Sequence, residues 1–166
     1  MNQKIPLITA GRLRELFIYD EATGFFIWRK TCGARAKAGA IAGHKSSREY
    51  IQMRLDGRNY KGHRLAWLYV HGEWPSDQID HINGVKSDNR IANLRDVSCN
   101  INHQNLRQAC VRSSTGLLGV IPDKNRWRAR IDANKKTYRL GSFNSPELAH
   151  AAYIEAKRRL HEGCTI

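Results

Sequence analysis

Ile79-Asp80-His81-Ile82-Asn83-Gly84, followed by Asn93-Leu94-Arg95 and then Asn102-His103, is the stretch on which the fold and the chemistry turn. Gln78 to Ile82 reads as a short apolar strand with an acid and a histidine at its end. Asn83 to Arg90 is a polar loop, and Leu94 to Val97 is a second strand. Ser98 is a suitable cap for a helix running to about Arg107. Metal-assisted hydrolysis of a phosphodiester needs a hard oxygen ligand, a base for water, and a group that orients the base. Asp80 and His81 point to opposite faces if the strand is regular. One can then meet a metal while the other meets a water, provided the strand end twists or bulges. An Asp80/Asn102 oxygen pair suits Mg²⁺, which keeps several of its waters. His81, with an ordinary pKa near ~6.5, offers a neutral imidazole to the water. The Asn93 amide would hold the His81 loop or ring. An isolated Asp-His pair is more often a turn residue beside a packed histidine; the complete set at this spacing outweighs that reading.

The preceding residues read as a small mixed domain. Gly11 to Asp20 is expected to be one helix, with Leu13, Leu16 and Phe17 on a shared face. A turn at Gly24 enters a strand ending at Trp28, and Thr31 to His44 is a basic, Gly- and Ala-rich loop that could face DNA. Tyr50 to Leu55 and Arg58 to Tyr60 flank Asp56-Gly57, a hairpin signal. Lys61 to His71 fits a helix that Gly72 and Pro75 end.

Residues 108–115 are a linker by composition. Beyond them, Gly119-Val120, Arg126 to Ile131 and Thr137 to Gly141 read as three short strands. Ser145 caps a helix with Pro146 at its first position and Ala149, Ala152, Ala156 and Leu160 on one face. Alternation puts Arg126, Arg128 and Arg130 on one face of their strand and Trp127, Ala129 and Ile131 on the other.

The chain carries 28 Lys and Arg against 15 Asp and Glu, a net charge of +13 with pI near 10.0. The excess is not confined to a tail. Residues 1–105 hold 16 basic against 10 acidic side chains, and residues 113–166 hold 10 against 5. Both halves therefore suit one polyanion, and double-stranded DNA is the expected partner. No apolar run is long enough to span a bilayer, and no basic amphipathic anchor stands out, so no membrane partner is expected. No obligate protein partner is evident. Met1 to Ala10 lacks the pattern of a secretory leader, so an intracellular location is expected. Cys32, Cys99, Cys110 and Cys164 form no Cys-x-x-Cys pair. No structural zinc is expected, and Cys99 is read as a small buried residue.

Two sets of residues carry a resemblance. His63-Arg64-Leu65-Ala66-Trp67, Gly72-Glu73-Trp74-Pro75, Asp80-His81-Ile82-Asn83-Gly84, Asp88-Asn89-Arg90, Asn93-Leu94-Arg95 and Asn102 together resemble the HNH endonuclease family. They are similar in particular to its phage-type homing endonucleases of ββα-metal fold. The resemblance implies Asp80 and Asn102 as metal ligands, His81 as general base and Asn93 as its support. The third position is Asn102 rather than histidine, which argues against zinc. His63 and His103 become auxiliary candidates for contacts to phosphate or leaving group. Residues 116–163 resemble the AP2 DNA-binding domain, through Gly119-Val120, Trp127 to Ile131, Leu140-Gly141-Ser142-Phe143 and the helix with Glu147-Leu148-Ala149 and Ala151-Ala152-Tyr153. That resemblance implies a DNA-facing sheet, with Arg126, Arg128, Arg130 and Arg139 as contacts and Trp127 as a further one. Ile121, Asp132 and Arg139 depart from the pattern of the plant members, so no target sequence carries over.

The expectation is an α+β protein. Residues 1–60 form an N-terminal mixed α/β region contacting DNA, and residues 61–107 an HNH nuclease core. After the 108–115 linker, residues 116–163 form a three-stranded sheet packed on one helix. Arg64 and Arg95 join the expected DNA contacts. The expected activity is metal-dependent, site-specific, homing-type nicking of DNA with Mg²⁺ (Mn²⁺ as substitute), leaving a 5′ phosphate and a 3′ hydroxyl. The alternative is a non-catalytic, sequence-specific DNA-binding regulator that retains a nuclease fold. An RNA partner finds no aromatic stacking platform in the sequence.

Overall fold

A computed structural model describes residues 7–110 and 113–166. Residues 111 and 112 of the expected linker lie outside the described residues. The chain divides into two compact units, residues 1–98 and 99–166.

In the first unit, helix α1 spans Ala10–Leu16, and the Thr9 hydroxyl caps it by accepting from the Arg12 N–H at 3.2 Å. The expected helix to Asp20 is cut short. Phe17–Asp20 is strand β1, paired antiparallel with β2, Phe25–Trp28. The run Phe17-Ile18-Tyr19 is β-branched and aromatic, and alternation buries Phe17 and Tyr19 while Ile18 stays exposed. Leu13 and Leu16 reach the same core from the helix side. The 31–44 segment is largely irregular, with bridges Gly33↔Ala36 and Ile27↔Ile41, and ends in the short strand β3, His44–Lys45. Strands β4 (Ile51–Leu55) and β5 (Arg58–Lys61) form the expected hairpin. Asp56 and Gly57 both adopt positive φ, at 46° and 80°, as a two-residue turn of this twist requires. Helix α2, Gly62–His71, follows directly.

Strands β6 (Gln78–His81) and β7 (Leu94–Val97) pair antiparallel, with Asp80 opposite Arg95 and His81 opposite Leu94. A single 3-10 turn, Ile91–Asn93, leads into β7. One apolar cluster runs from Ile8 through Leu13, Phe17, Phe26, Met53, Leu65 and Leu68 to Ile79 and Leu94. The N-terminal region and the β6–β7 hairpin thus share a core, where the sequence suggested a boundary near residue 60.

The second unit begins with α3, Cys99–Gln104, shorter than the expected helix to Arg107. Cys99 is exposed rather than buried. Strands β8 (Val120–Asp123), β9 (Arg126–Ala133) and β10 (Lys136–Phe143) make one antiparallel sheet with β9 in the middle. Helix α4, Pro146–Leu160, packs on it, capped by Ser145 as expected. Ala149, Tyr153 and Ala156 lie at helical spacing on its buried side, against Val120, Ala129 and Ile131. The unit also ties α3 and the residues just after it to α4 and the residues beyond it. Gln104 Oε1 accepts from Gly163 N at 2.9 Å, Arg107 Nη2 donates to the Thr165 carbonyl at 3.1 Å, and Lys157 Nζ donates to the Leu106 carbonyl.

Candidate nuclease centre and arginine face

The β6–β7 register brings the first functional pair together. Arg95 lies directly across from Asp80 and donates both Nε and Nη2 to Asp80 Oδ2, at 2.9 and 2.7 Å. Asp80 is buried, so this guanidinium compensates its charge where water does not. Arg95 was expected to contact DNA; the register places it against Asp80. Arg64 is likewise used within its own unit. Its Nη1 donates to the Asp77 carbonyl at 3.1 Å, and its guanidinium carbon lies 5.8 Å from the Trp74 ring centroid.

His81 is 5 % exposed. Its Nε2 lies 3.2 Å from Asn89 Oδ1. An amide oxygen only accepts, so Nε2 carries the proton and Nδ1 is the basic nitrogen of the neutral ring. Burial holds the His81 pKa below the ordinary imidazole value, although the Asn89 bond and the Asp80 and Asp88 charges pull it upward. The ring is therefore neutral at physiological pH.

Sequence reasoning gave the orienting role to Asn93 and missed Asn89. Asn89 is 2 % exposed and meets the fold on several sides. The buried Tyr19 hydroxyl donates to its carbonyl at 2.7 Å. A Cβ on Gly62 would lie 2.7 Å from its side-chain nitrogen, and a Cβ on Gly24 2.5 Å from its carbonyl carbon. The Asp88-Asn89-Arg90 run was visible in the sequence, but its burial against Tyr19 was not.

Asn93 braces the loop rather than the ring. Its Oδ1 accepts from Asn83 N at 2.9 Å, and its Nδ2 donates to the Asp88 carbonyl at 2.8 Å. Asp88 closes the same loop by accepting from Asn83 Nδ2 at 2.7 Å and from Arg90 Nε and Nη2 at 2.8 and 2.6 Å. The Arg90 bonds are the main reason that the Asp88 carboxyl is pulled down to about 2. Because the folded pKa lies below the unfolded one near ~3.9, the stabilisation is complete above about pH 4 and is lost as pH falls through about 2. Arg90 is half exposed, so solvent screening leaves about 1–2 kcal/mol. Thermal melts between pH 5 and 2 should show Asp88→Asn losing less stability than the parent over that interval. Parallel curves would refute it.

His63, an auxiliary candidate, lies in the first turn of α2 with its ring 5.0 Å from that of His81. Burial, chiefly, with His81, Lys61 and Arg64 adding to it, pushes its pKa down to about 3, so it too is neutral. Tyr50 lies 5.2 Å from the His63 ring and 6.0 Å from the His81 ring.

Asn102 and His103 belong to α3 in the second unit, where His103 Nε2 lies 3.8 Å from Cys99 Sγ. The donor set expected for a metal is one carboxylate, Asp80, and one amide, Asn102. These hard oxygens fit Mg²⁺ or Mn²⁺. Among the described residues, no group of three or more His, Cys, Asp or Glu could hold a metal ion.

On the sheet of the second unit, Arg126, Arg128 and Arg130 are exposed and alternate with Trp127, Ala129 and Ile131. Arg139 on β10 is directly opposite Arg130, and Ser142 opposite Arg128, on either side of an irregularity at Leu140. Like charges directly opposite across a sheet destabilise it on its own. Asp123 offsets part of the charge, lying 3.2 Å from Arg128 Nε, and Arg126 Nη2 donates to the Ser142 carbonyl at 2.8 Å. Trp127 does not join this face. It packs with Val120, Leu140, Phe143 and Ala149 on the helix side, because its strand position has opposite parity.

Among the described residues no helix is long and apolar enough to cross a membrane. Comparison with curated proteins and with solved structures finds no match to this chain. The family model described as HNH endonuclease, in contrast, matches residues 60–104. That span holds Asp80, His81, Asn89, Asn93 and Asn102, and the match supports an HNH nuclease acting on DNA.

Proposed function

We propose that the protein is a metal-dependent, site-specific DNA endonuclease of the homing type, carried by a phage or mobile element, which nicks one strand per event. The observation that carries this reading is a buried, neutral His81 with Nε2 bonded to Asn89, one residue from a buried Asp80. His81 Nδ1 takes the proton of the attacking water, and Asn89 keeps the ring in the tautomer that leaves Nδ1 basic. Asn93 and Asp88 hold the Asn83–Arg90 loop closed around it. HNH nucleases generally use a divalent metal. Such an ion, Mg²⁺ foremost, would neutralise charge on the scissile phosphate and the departing 3′ oxygen. Asp80 and Asn102 are the residues that would hold it. The products are a 5′ phosphate and a 3′ hydroxyl. One centre per chain accounts for nicking, since a double-strand break needs two events.

Arg126, Arg128, Arg130 and Arg139 form the second DNA contact, as in an AP2-like sheet. Paired guanidiniums without a full complement of acids fit phosphates and guanine edges.

The test is nicking of a supercoiled plasmid library carrying candidate sites, with Mg²⁺, with Mn²⁺ and with EDTA. Cleavage that needs the metal is expected; equal cutting in EDTA would refute the reading. One observation favours a second reading, a DNA-binding regulator with a retired centre: Arg95 occupies Asp80 Oδ2. Sequence-specific binding without cleavage under any divalent metal would select it.

A further inference from the structure

Tyr50 immediately precedes β4 and lies outside the span that the HNH family matches. Two ammonium groups sit over its ring. Lys61 Nζ is 4.9 Å from the ring centroid and Lys86 Nζ is 5.6 Å. One comes from the end of β5 and the other from the loop after β6. Both side chains are exposed, and among the described residues neither forms an ion pair with a carboxylate.

Three further features of the same sign or the same need surround them. Lys61 is the N-cap residue of α2, a ten-residue helix with no acidic side chain in its first turn and no side-chain cap. His63, two residues later, is 4 % exposed, and its Nδ1 has no hydrogen-bond partner. Its neutral ring can donate from that nitrogen in one tautomer. Tyr50 is also the ring that touches both His63 and His81.

Like charges gathered on one ring repel each other, and the face of a tyrosine offsets only part of that. With no carboxylate ion-paired to either lysine among the described residues, an anion from outside completes the balance. The lysines are exposed and on long arms, which suits a backbone of successive phosphates better than an enclosed small molecule. We infer that Tyr50, Lys61 and Lys86 form a phosphate clamp that grips the duplex DNA backbone beside His81. This rests on the nuclease reading for its substrate class. It adds a binding element within the first unit, separate from the arginine face of the second.

The test is duplex binding in EDTA, measured by fluorescence anisotropy across a salt series, with cleavage assayed in parallel. Lys61→Gln and Lys86→Gln should each lower the slope of log Kd against log salt by about 1. The double variant should bind on the order of ten-fold more weakly near physiological salt. Tyr50→Phe keeps the ring and should match the parent, whereas Tyr50→Leu should bind about as weakly as a single lysine variant. Circular dichroism checks that each variant is folded. A double variant with the parent slope and affinity would overturn the clamp, as would a Tyr50→Leu variant that binds like the parent. The two readings fail separately. A slope change in a protein that never cleaves retires the nuclease and keeps the clamp. Cleavage with an unchanged slope does the reverse.

Discussion

His81→Ala should reduce DNA cleavage by about 10²–10⁴-fold while leaving duplex binding within about two-fold of the parent. In the proposed mechanism the ring supplies a proton acceptor, and it carries no charge at physiological pH, so its removal takes away little attraction for phosphate. Asn89→Ala should lie between the two. It frees the His81 ring to adopt the other tautomer or rotate, so cleavage at saturating DNA falls while KM changes little. The plasmid assay with saturating and subsaturating DNA reads both numbers. Full activity in His81→Ala would eliminate His81 as the base. Parent kinetics in Asn89→Ala would show that the ring is held by something else.

Gly24→Ala should destabilise the first unit by about 2–5 kcal/mol. Gly24 adopts φ +75°, where an L side chain is strained. A Cβ there would lie 2.5 Å from both Arg90 N and Asn89 C, which are backbone atoms with no rotamer to escape into. The β1–β2 turn or the Asn89 segment must therefore move, and Asn89 is what His81 leans on. Denaturation followed by tryptophan fluorescence should show the loss, with cleavage falling further than binding. A change below about 0.5 kcal/mol would mean that the turn is not seated against Asn89 as tightly as this geometry requires.

The parts of the fold legible in the sequence are those set by short-range pattern. Asp56-Gly57 fixed its hairpin through two positive φ values, and the arginine alternation on β9 followed from strand period alone. The β6 and β7 strands were legible for the same reason. Errors arose where a distant partner decides. Phe17 could extend a helix or open a strand, and only pairing with Trp28 chooses. Arg95 reads as a free cation until the register sets it opposite Asp80. Asn89 is an ordinary turn residue in sequence; Tyr19, seventy positions earlier, makes it a buried support. Tyr50, Lys61 and Lys86 carry no motif because their meeting depends on three separate segments. The roles proposed for Asp80 and Asn102 rest on the resemblance and on donor chemistry.

The bonds between α3 and the residues after α4 set a rule for recombining this protein with others. Helix α3 is six residues long, too short to persist without partners, and within its unit those partners include Gly163. A chimera that exchanges the arginine-faced sheet at the apparent linker would leave α3 behind without them. Exchange of that sheet therefore has to carry residues 99–107 along with the incoming one, or rebuild their docking site. The arginine face and the asparagine on α3 are inherited as one block.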